Sequence, residues 1–258
     1  MFKSITRNSQ RIRINSRSIH TIPKLELHDQ WKTNGLSNLF SSQGYTESWI
    51  NFQNYLLTNL TLLTNGTGNE TKHPFQILLN TAKQSTKQHI FHFASMAFNN
   101  HFFYQQLTNQ EIAKETKPSR FLMEKLIHQD IDSLESLKLK MNNIIMNSNG
   151  QGVLFLVESK DKSLQFLNCS NDGTPFYYGK NQILDLNGGI DEHTFKQLEN
   201  LKQRVKNGDS DFNLPILAIS YWDIMYIHDF GINGKSEYLN KVWDYINWDI
   251  VNKRLFQV

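Results

Sequence analysis

The side chains able to do chemistry are few and scattered. His89 and His92 stand three apart, a spacing at which one helix face can offer two imidazoles to a metal, with no third ligand nearby in the sequence. His228 and Asp229 are adjacent, as in an imidazole oriented by a carboxylate, yet no serine or cysteine is visibly paired with them as a nucleophile. Cys169 is the single cysteine, so it can form no internal disulfide, and it reads as a strand thiol without chemistry. The most promising stretch runs from Leu214 to Ser220 and on through Tyr221-Trp222-Asp223. An apolar strand that feeds a polar turn can aim the turn residues at a metal or a reacting group. Trp222, Tyr226, Trp243, Tyr245 and Trp248 follow as an aromatic stripe, which could stack bases if exposed and would be core if buried.

The elements that must position these residues fall into an α+β order. An extended lead-in covers Thr21 to Gly35. From Tyr45 to Leu63 the residues Trp49, Phe52, Leu56, Leu60 and Leu63 recur at three- and four-residue spacing and predict one amphipathic helix, stopped by Asn65-Gly66-Thr67-Gly68-Asn69. A second long helix is expected from Thr81 to Leu107, making a helical hairpin with the first. Pro118-Ser119 reads as a helix start, and Leu134 to Met146 as a further helix. The period then changes. Val153 to Val157 is a continuous apolar run that predicts a buried strand, paired with Leu164 to Leu167 across Lys160-Asp161-Lys162. A polar, mostly helical insertion is expected between Asp191 and Lys206, ahead of the third strand. Helices first, a small mostly antiparallel three-stranded sheet second and flanking helices last is an α+β pattern.

With 258 residues and 39% hydrophobic content the chain can bury a substantial core, in one or two domains. No apolar run approaches the roughly 20 residues of a membrane-spanning helix, so no membrane contact is expected. Charge is uneven. Lys3, Arg7, Arg11, Arg13 and Arg17 precede the first carboxylate, Glu26, and are mixed with serines, which is the composition of a mitochondrial presequence. The alternative is a basic arm that stays attached and binds nucleic acid. Without those five charges the net +3 falls to about −2, too little positive charge to hold phosphates by itself. The expected organisation is a presequence over 1–20, a helical-hairpin domain over 21–115 and an α/β domain over 116–258.

Several stretches together resemble the iron/manganese superoxide dismutase family. ISYWDIMYIHDF, starting at Ile219, resembles that family's D-x-W-E-H-A-Y-Y block, and EYLNKVWDYINWDIV, starting at Glu237, resembles Y-L-x-x-x-W-x-x-I-N-W-x-x-V. GQGVLFLV from Gly150 is similar to G-S-G-W-x-W-L-V, and FNNHFFYQQL from Phe98 to W-N-H-T-F-Y-W-x-x-L. YLLTNL from Tyr55 is similar to Y-V-x-x-L-N, whose tyrosine gates the family's active site. The resemblance covers nearly everything after the basic segment. It implies the dismutase fold, and it implies that the aromatic stripe is core around a metal cavity.

The family holds its redox metal with three histidines and one aspartate. Carried over by the motifs, those positions are Glu47, eight residues before Tyr55, then Asn100, Ser220 and Ile224. Sliding the second helix by one residue would substitute His101 for Asn100. The glutamine that in the family helps deliver protons to metal-bound solvent becomes Asn149. An amide, a hydroxyl and an isoleucine are poor partners for a redox metal, so no cofactor and no catalysis are expected. The substitution at Ile224 implies a cavity filled by packing. The family's dimer edge, where a glutamate and a ligand histidine bond reciprocally across a two-fold axis, becomes Asp223 and Ile224. A different partner that complements Asp223, Ile224, Ile227 and Asn51 would remove the conflict.

A basic leader on a dismutase fold without its ligands resembles the superoxide-dismutase-like proteins of the fungal mitochondrial small ribosomal subunit. Two such paralogues are thought to pair, and the length and short lead-in favour the shorter. The resemblance implies a non-catalytic structural subunit in the mitochondrial matrix, held by small-subunit proteins and a paralogous partner, with rRNA contact secondary. The rivals are a dismutase or metalloenzyme with a rebuilt site, a direct rRNA-binding module, and a free matrix protein that regulates a true dismutase.

Overall fold

The computed structural model describes residues 19–82, 84–159, 161–176 and 213–255. The expected presequence, apart from its last two residues, and the expected helical insertion between Asp191 and Lys206 lie outside the described residues. What was read as an extended lead-in contains a helix, α1 (His28–Asn34). Its anchor is Trp31, which is buried and donates its indole N–H to Asn109 Oδ1 at 2.8 Å. One apolar side chain gives no period, so the helix was not visible in the pattern.

The first long helix starts earlier than its apolar stripe. Ser41 caps it by accepting from the Gly44 N–H at 2.9 Å. The chain continues without a break through α2 (Ser42–Tyr45), a π-helical stretch (Thr46–Asn51) and α3 (Phe52–Thr64). Trp49, Leu56 and Leu60 face inward as expected, but Leu63 is exposed and Thr64 takes the buried place. Thr61 and Thr64 can be buried because their hydroxyls bond back to the Leu57 and Leu60 carbonyls.

The second expected helix, Thr81 to Leu107, is α5 (Gln88–Gln105), which starts later than expected after a 3₁₀ turn at Ser85–Lys87. Ahead of it stands a helix that was not expected, α4 (Pro74–Thr81), opened by Pro74 at a first-turn position where a missing N–H costs nothing. Both α3 and α4 pack on α5. Next come α6 (Gln110–Glu115), α7 (Arg120–Ile127) and α8 (Leu134–Met146). Ser119 caps α7 through the Leu122 N–H, and Ser133 caps α8 through the Ser136 N–H.

The three strands are β1 (Gly152–Glu158), β2 (Leu164–Ser170) and β3 (Leu214–Ser220), in the order β2-β1-β3, with both pairings antiparallel. Being central, β1 is buried along its whole length, which explains its unbroken apolar run. The β1–β3 register slips between Leu156 and Val157, where Leu156 faces Leu217 but Val157 faces Pro215. A proline cannot donate to the ladder, so the bulge falls beside it. Beyond β3 lie α9 (Asp223–Phe230), α10 (Lys235–Lys241), a 3₁₀ turn at Val242–Tyr245 and α11 (Trp248–Leu255). Gly231, at φ 75°, ends α9 in the left-handed region that favours glycine.

The largest buried cluster joins Trp31, Trp49, Tyr104, Leu126, Ile219, Tyr238, Trp243 and Trp248. The helical half and the sheet half therefore share one interior. Trp243, Tyr245, Trp248 and Tyr226 are buried and Trp222 partly so, which makes the aromatic stripe core rather than a stacking surface. Among the described residues no helix is long and apolar enough to cross a membrane.

Candidate functional site

Where α3, α5 and the ends of β1 and β3 meet there is a cavity of about 10 Å³. Phe52, Trp222, Met96 and Val153 form its apolar walls, and Asn99, Asn100, Asn171 and Ser220 its polar ones. That volume is about the room of one water molecule. Two of the four positions carried over from the family, Asn100 and Ser220, line it. Ile224 does not; it is half-buried and packs against the main core. Asn100 rather than His101 faces the cavity. The His101 ring instead lies 5.9 Å from that of Trp49, and burial, aided by the Arg254 charge, holds its pKa down at about 4.

Glu47 does not line the cavity either. It is half-buried in the π-helical stretch, while its neighbour Ser48 is fully buried and offers its carbonyl to Asn100 Nδ2 at 3.5 Å. The position eight residues before Tyr55, which the motif assigns to Glu47, therefore lies one residue off the inward position that Ser48 takes in the π-helical stretch. Tyr55 itself is 56% exposed and meets Phe93 edge-on; the structure gives it no place at the cavity. Asn149 is exposed as well.

Around the cavity runs a network of uncharged groups. Asn100 Nδ2 donates to Gln53 Oε1 at 2.9 Å, Gln53 Nε2 donates to the Ala97 carbonyl at 3.0 Å, and Asn99 Nδ2 donates to the Gly173 carbonyl at 2.8 Å. The Ser48 hydroxyl lies 2.6 Å from the Gly44 carbonyl and 2.5 Å from the Tyr104 hydroxyl, whose pKa burial pushes up. Tyr104 also reaches Met225 Sδ at 3.8 Å. Ser48, Gln53 and Asn99 were not singled out from sequence. The inward turn at Trp49, Gln53 and Leu56 was the available signal for Gln53.

Does this donor set suit a redox metal? Every polar lining side chain is an amide or a hydroxyl, with neither imidazole nor carboxylate to stabilise a cation that changes charge. Among the described residues no three His, Cys, Asp or Glu side chains stand together. The residues do not fit a dismutase metal. The other candidates stay apart: His89 is exposed, while His92 makes a local contact with Asp172 at 3.0 Å. His228 and Asp229 are both exposed, and Asp229 Oδ2 accepts the Ser41 N–H at 3.1 Å. Cys169 is buried in β2.

At the turn, Asp223 accepts from the Tyr226 hydroxyl at 2.6 Å, and its own N–H donates to Gln151 Oε1 at 3.3 Å. Burial, with the Asp223 carboxylate beside it, pushes the Tyr226 phenol up to about 12. Ile227 is 41% exposed, Ile232 79%, and Asn51 is exposed.

Residues 190–254 match the sequence model of the iron/manganese superoxide dismutases, C-terminal domain. The chain is 27% identical to the small ribosomal subunit protein mS43 of Schizosaccharomyces pombe, over 98% of this chain and 90% of that protein. It is 26% identical to mS42 of the same organism, over 70% and 73%. It is 24% identical to an iron superoxide dismutase of Bacteroides fragilis, over 92% and 99%. The α+β architecture, with its helical first part and small antiparallel sheet flanked by helices, is that of an iron/manganese superoxide dismutase-like fold, and the sequence is similar both to ribosomal proteins and to superoxide dismutases.

Proposed function

We propose that this chain is a non-catalytic structural component of the mitochondrial small ribosomal subunit, built on a dismutase-like frame. The observation that carries this reading is the cavity. Asn100 and Ser220 stand where the family's motifs place a histidine and an aspartate, so the frame is kept while uncharged groups replace metal ligands. The end-to-end likeness to mS43 and the partial likeness to mS42 support placing it among small-subunit proteins.

The mitochondrial setting rests on the acid-free basic stretch before Glu26, which we read as a presequence. His20 is buried, with Nδ1 3.1 Å from Thr61 Oγ1 and Nε2 3.0 Å from the Lys72 carbonyl. Processing ahead of His20 keeps those contacts. As partner we favour a second dismutase-like chain, seated on the edge formed by Asp223, Ile224, Ile227 and Asn51. The exposed Ile227 offers it apolar area, and Asp223 already has Tyr226 as an internal partner, so docking need not leave that carboxylate unpaired.

Gradient sedimentation of mitochondrial extract tests the reading. The protein is expected to travel with small-subunit particles, together with its dismutase-like partner. Recovery only at the top of the gradient, apart from those particles, would sink it.

A further inference from the structure

The polar lining of the cavity is incompletely bonded in a specific way. Asn99, Asn100 and Ser220 are 2%, 4% and 1% exposed, and Asn99 Oδ1, Asn100 Oδ1 and Ser220 Oγ have no hydrogen-bond partner among the described residues. Both amides are held in one orientation by their nitrogens: Asn99 Nδ2 is committed to the Gly173 carbonyl, and Asn100 Nδ2 to Gln53 Oε1 and the Ser48 carbonyl. Neither can flip to present a donor without breaking those bonds. Of the four polar lining residues Asn171 is exposed, and the three buried ones offer two amide oxygens that only accept and one hydroxyl that can donate.

We propose that this cavity is a binding site for one structural water molecule, which donates to Asn99 Oδ1 and Asn100 Oδ1 and accepts from the Ser220 hydroxyl. Three hydrogen bonds are the usual complement of a buried water, and about 10 Å³ is the room that one needs. A metal cation is the poorer occupant, because the lining carries no negative charge and too few oxygens to replace a hydration shell. A side chain does not fill the space either: Ile224, the residue expected to do so, packs against the main core instead. The water therefore bridges α5 to the end of β3 and stands in for bonds that the protein cannot make between its own groups.

Oxygen-17 relaxation dispersion on the purified full chain tests this, with Ser220→Val to fill the cavity and Ser220→Ala to remove only the donor. The unsubstituted protein is expected to show one long-lived water that Ser220→Val lacks. Ser220→Ala is expected to keep it with a residence time shortened about tenfold, the loss of one hydrogen bond of three. Equal dispersion amplitude in the unsubstituted protein and Ser220→Val would overturn the assignment. Should Ser220→Val fail to fold, an unchanged residence time in Ser220→Ala would overturn it alone. A sodium-23 signal of a bound ion that Ser220→Ala abolishes, or stoichiometric uptake of added manganese, would also overturn it in favour of a cation site.

Discussion

At the scale of single residues, His101 shows how much depends on a one-position difference. It adjoins Asn100 on α5, yet its ring lies against Trp49 and its pKa is held at about 4 by burial first and the Arg254 charge second. The neutral ring is the form the fold accepts. An unfolded chain takes up this proton near pH 6.5, whereas the folded chain resists until about pH 4, so stability is fully present above about 6.5 and is lost as pH falls toward 4. The loss amounts to at most about 3 kcal/mol. His101→Gln should flatten the urea midpoint between pH 4.5 and 7; a midpoint that falls just as steeply in the variant would show that other groups are responsible. The same local physics decides what could be read of the cavity. Asn100 and Ser220 were legible because Leu107 and Trp222 fix their frames. Ser48 was not, because the motif carried that position to Glu47 and a π-helical stretch leaves no trace in an apolar pattern. Nor could the free oxygens of Asn99 and Asn100 be read, since they depend on which carbonyls the amide nitrogens meet.

At the scale of elements, the joint most exposed to damage is Arg254 on α11. It is buried, among the described residues no carboxylate is paired with it, and it ties α11 to two other elements, the end of α5 and β3. Nη1 donates to Gln106 Oε1 at 3.0 Å and to the Ile216 carbonyl at 3.1 Å; Nη2 donates to the Phe102 carbonyl at 2.9 Å and to Gln105 Oε1 at 3.4 Å. The guanidinium also lies 3.5 Å from the centroid of the Phe102 ring. Desolvation lowers its pKa to about 9, which still leaves it charged at neutral pH. The Ile216 carbonyl belongs to the bulge beside Pro215, so the arginine satisfies a group that the irregular ladder leaves over. A lysine is a point charge and cannot span these acceptors, so Arg254→Lys should destabilise the fold by about 2–4 kcal/mol by chemical denaturation. A change below about 0.5 kcal/mol would mean that the acceptors find other partners. Sequence periodicity located most elements but not such joints. The strands and α8 were legible from their apolar patterns, while α1, α4 and the burial of Thr64 in place of Leu63 depended on what each segment packs against. Arg254 was invisible for the same reason, because its acceptors come from α5 and β3.

At the scale of the whole molecule, the proposed ribosomal role turns on whether the chain would be held by phosphates or by protein surfaces. Five of its basic residues lie before residue 18 with no acid among them, and the rest of the chain is near −2. Binding to RNA through n phosphates releases counterions, so the logarithm of affinity falls with that of salt at a slope of roughly −0.7 to −0.9 per contact. If the body carries no phosphate-binding surface, nearly all of the salt dependence should reside in the basic segment. The informative comparison is the full chain against one beginning at Ile19, which retains His20 and its bonds to Thr61 and the Lys72 carbonyl, so that truncation does not disturb the fold. The full chain should bind a small-subunit rRNA fragment with a slope steeper by up to about 3.5 to 4.5, and the shorter chain should bind weakly with a slope between 0 and about −2. Equally steep slopes for the two would place the phosphate contacts on the folded body and favour an RNA-binding module over a subunit held by its protein neighbours. A shallow slope for the shorter chain, combined with its incorporation into small-subunit particles, would assign its affinity to protein contacts. That is the balance expected of a body whose near-neutral charge is not arranged to follow a polyanion.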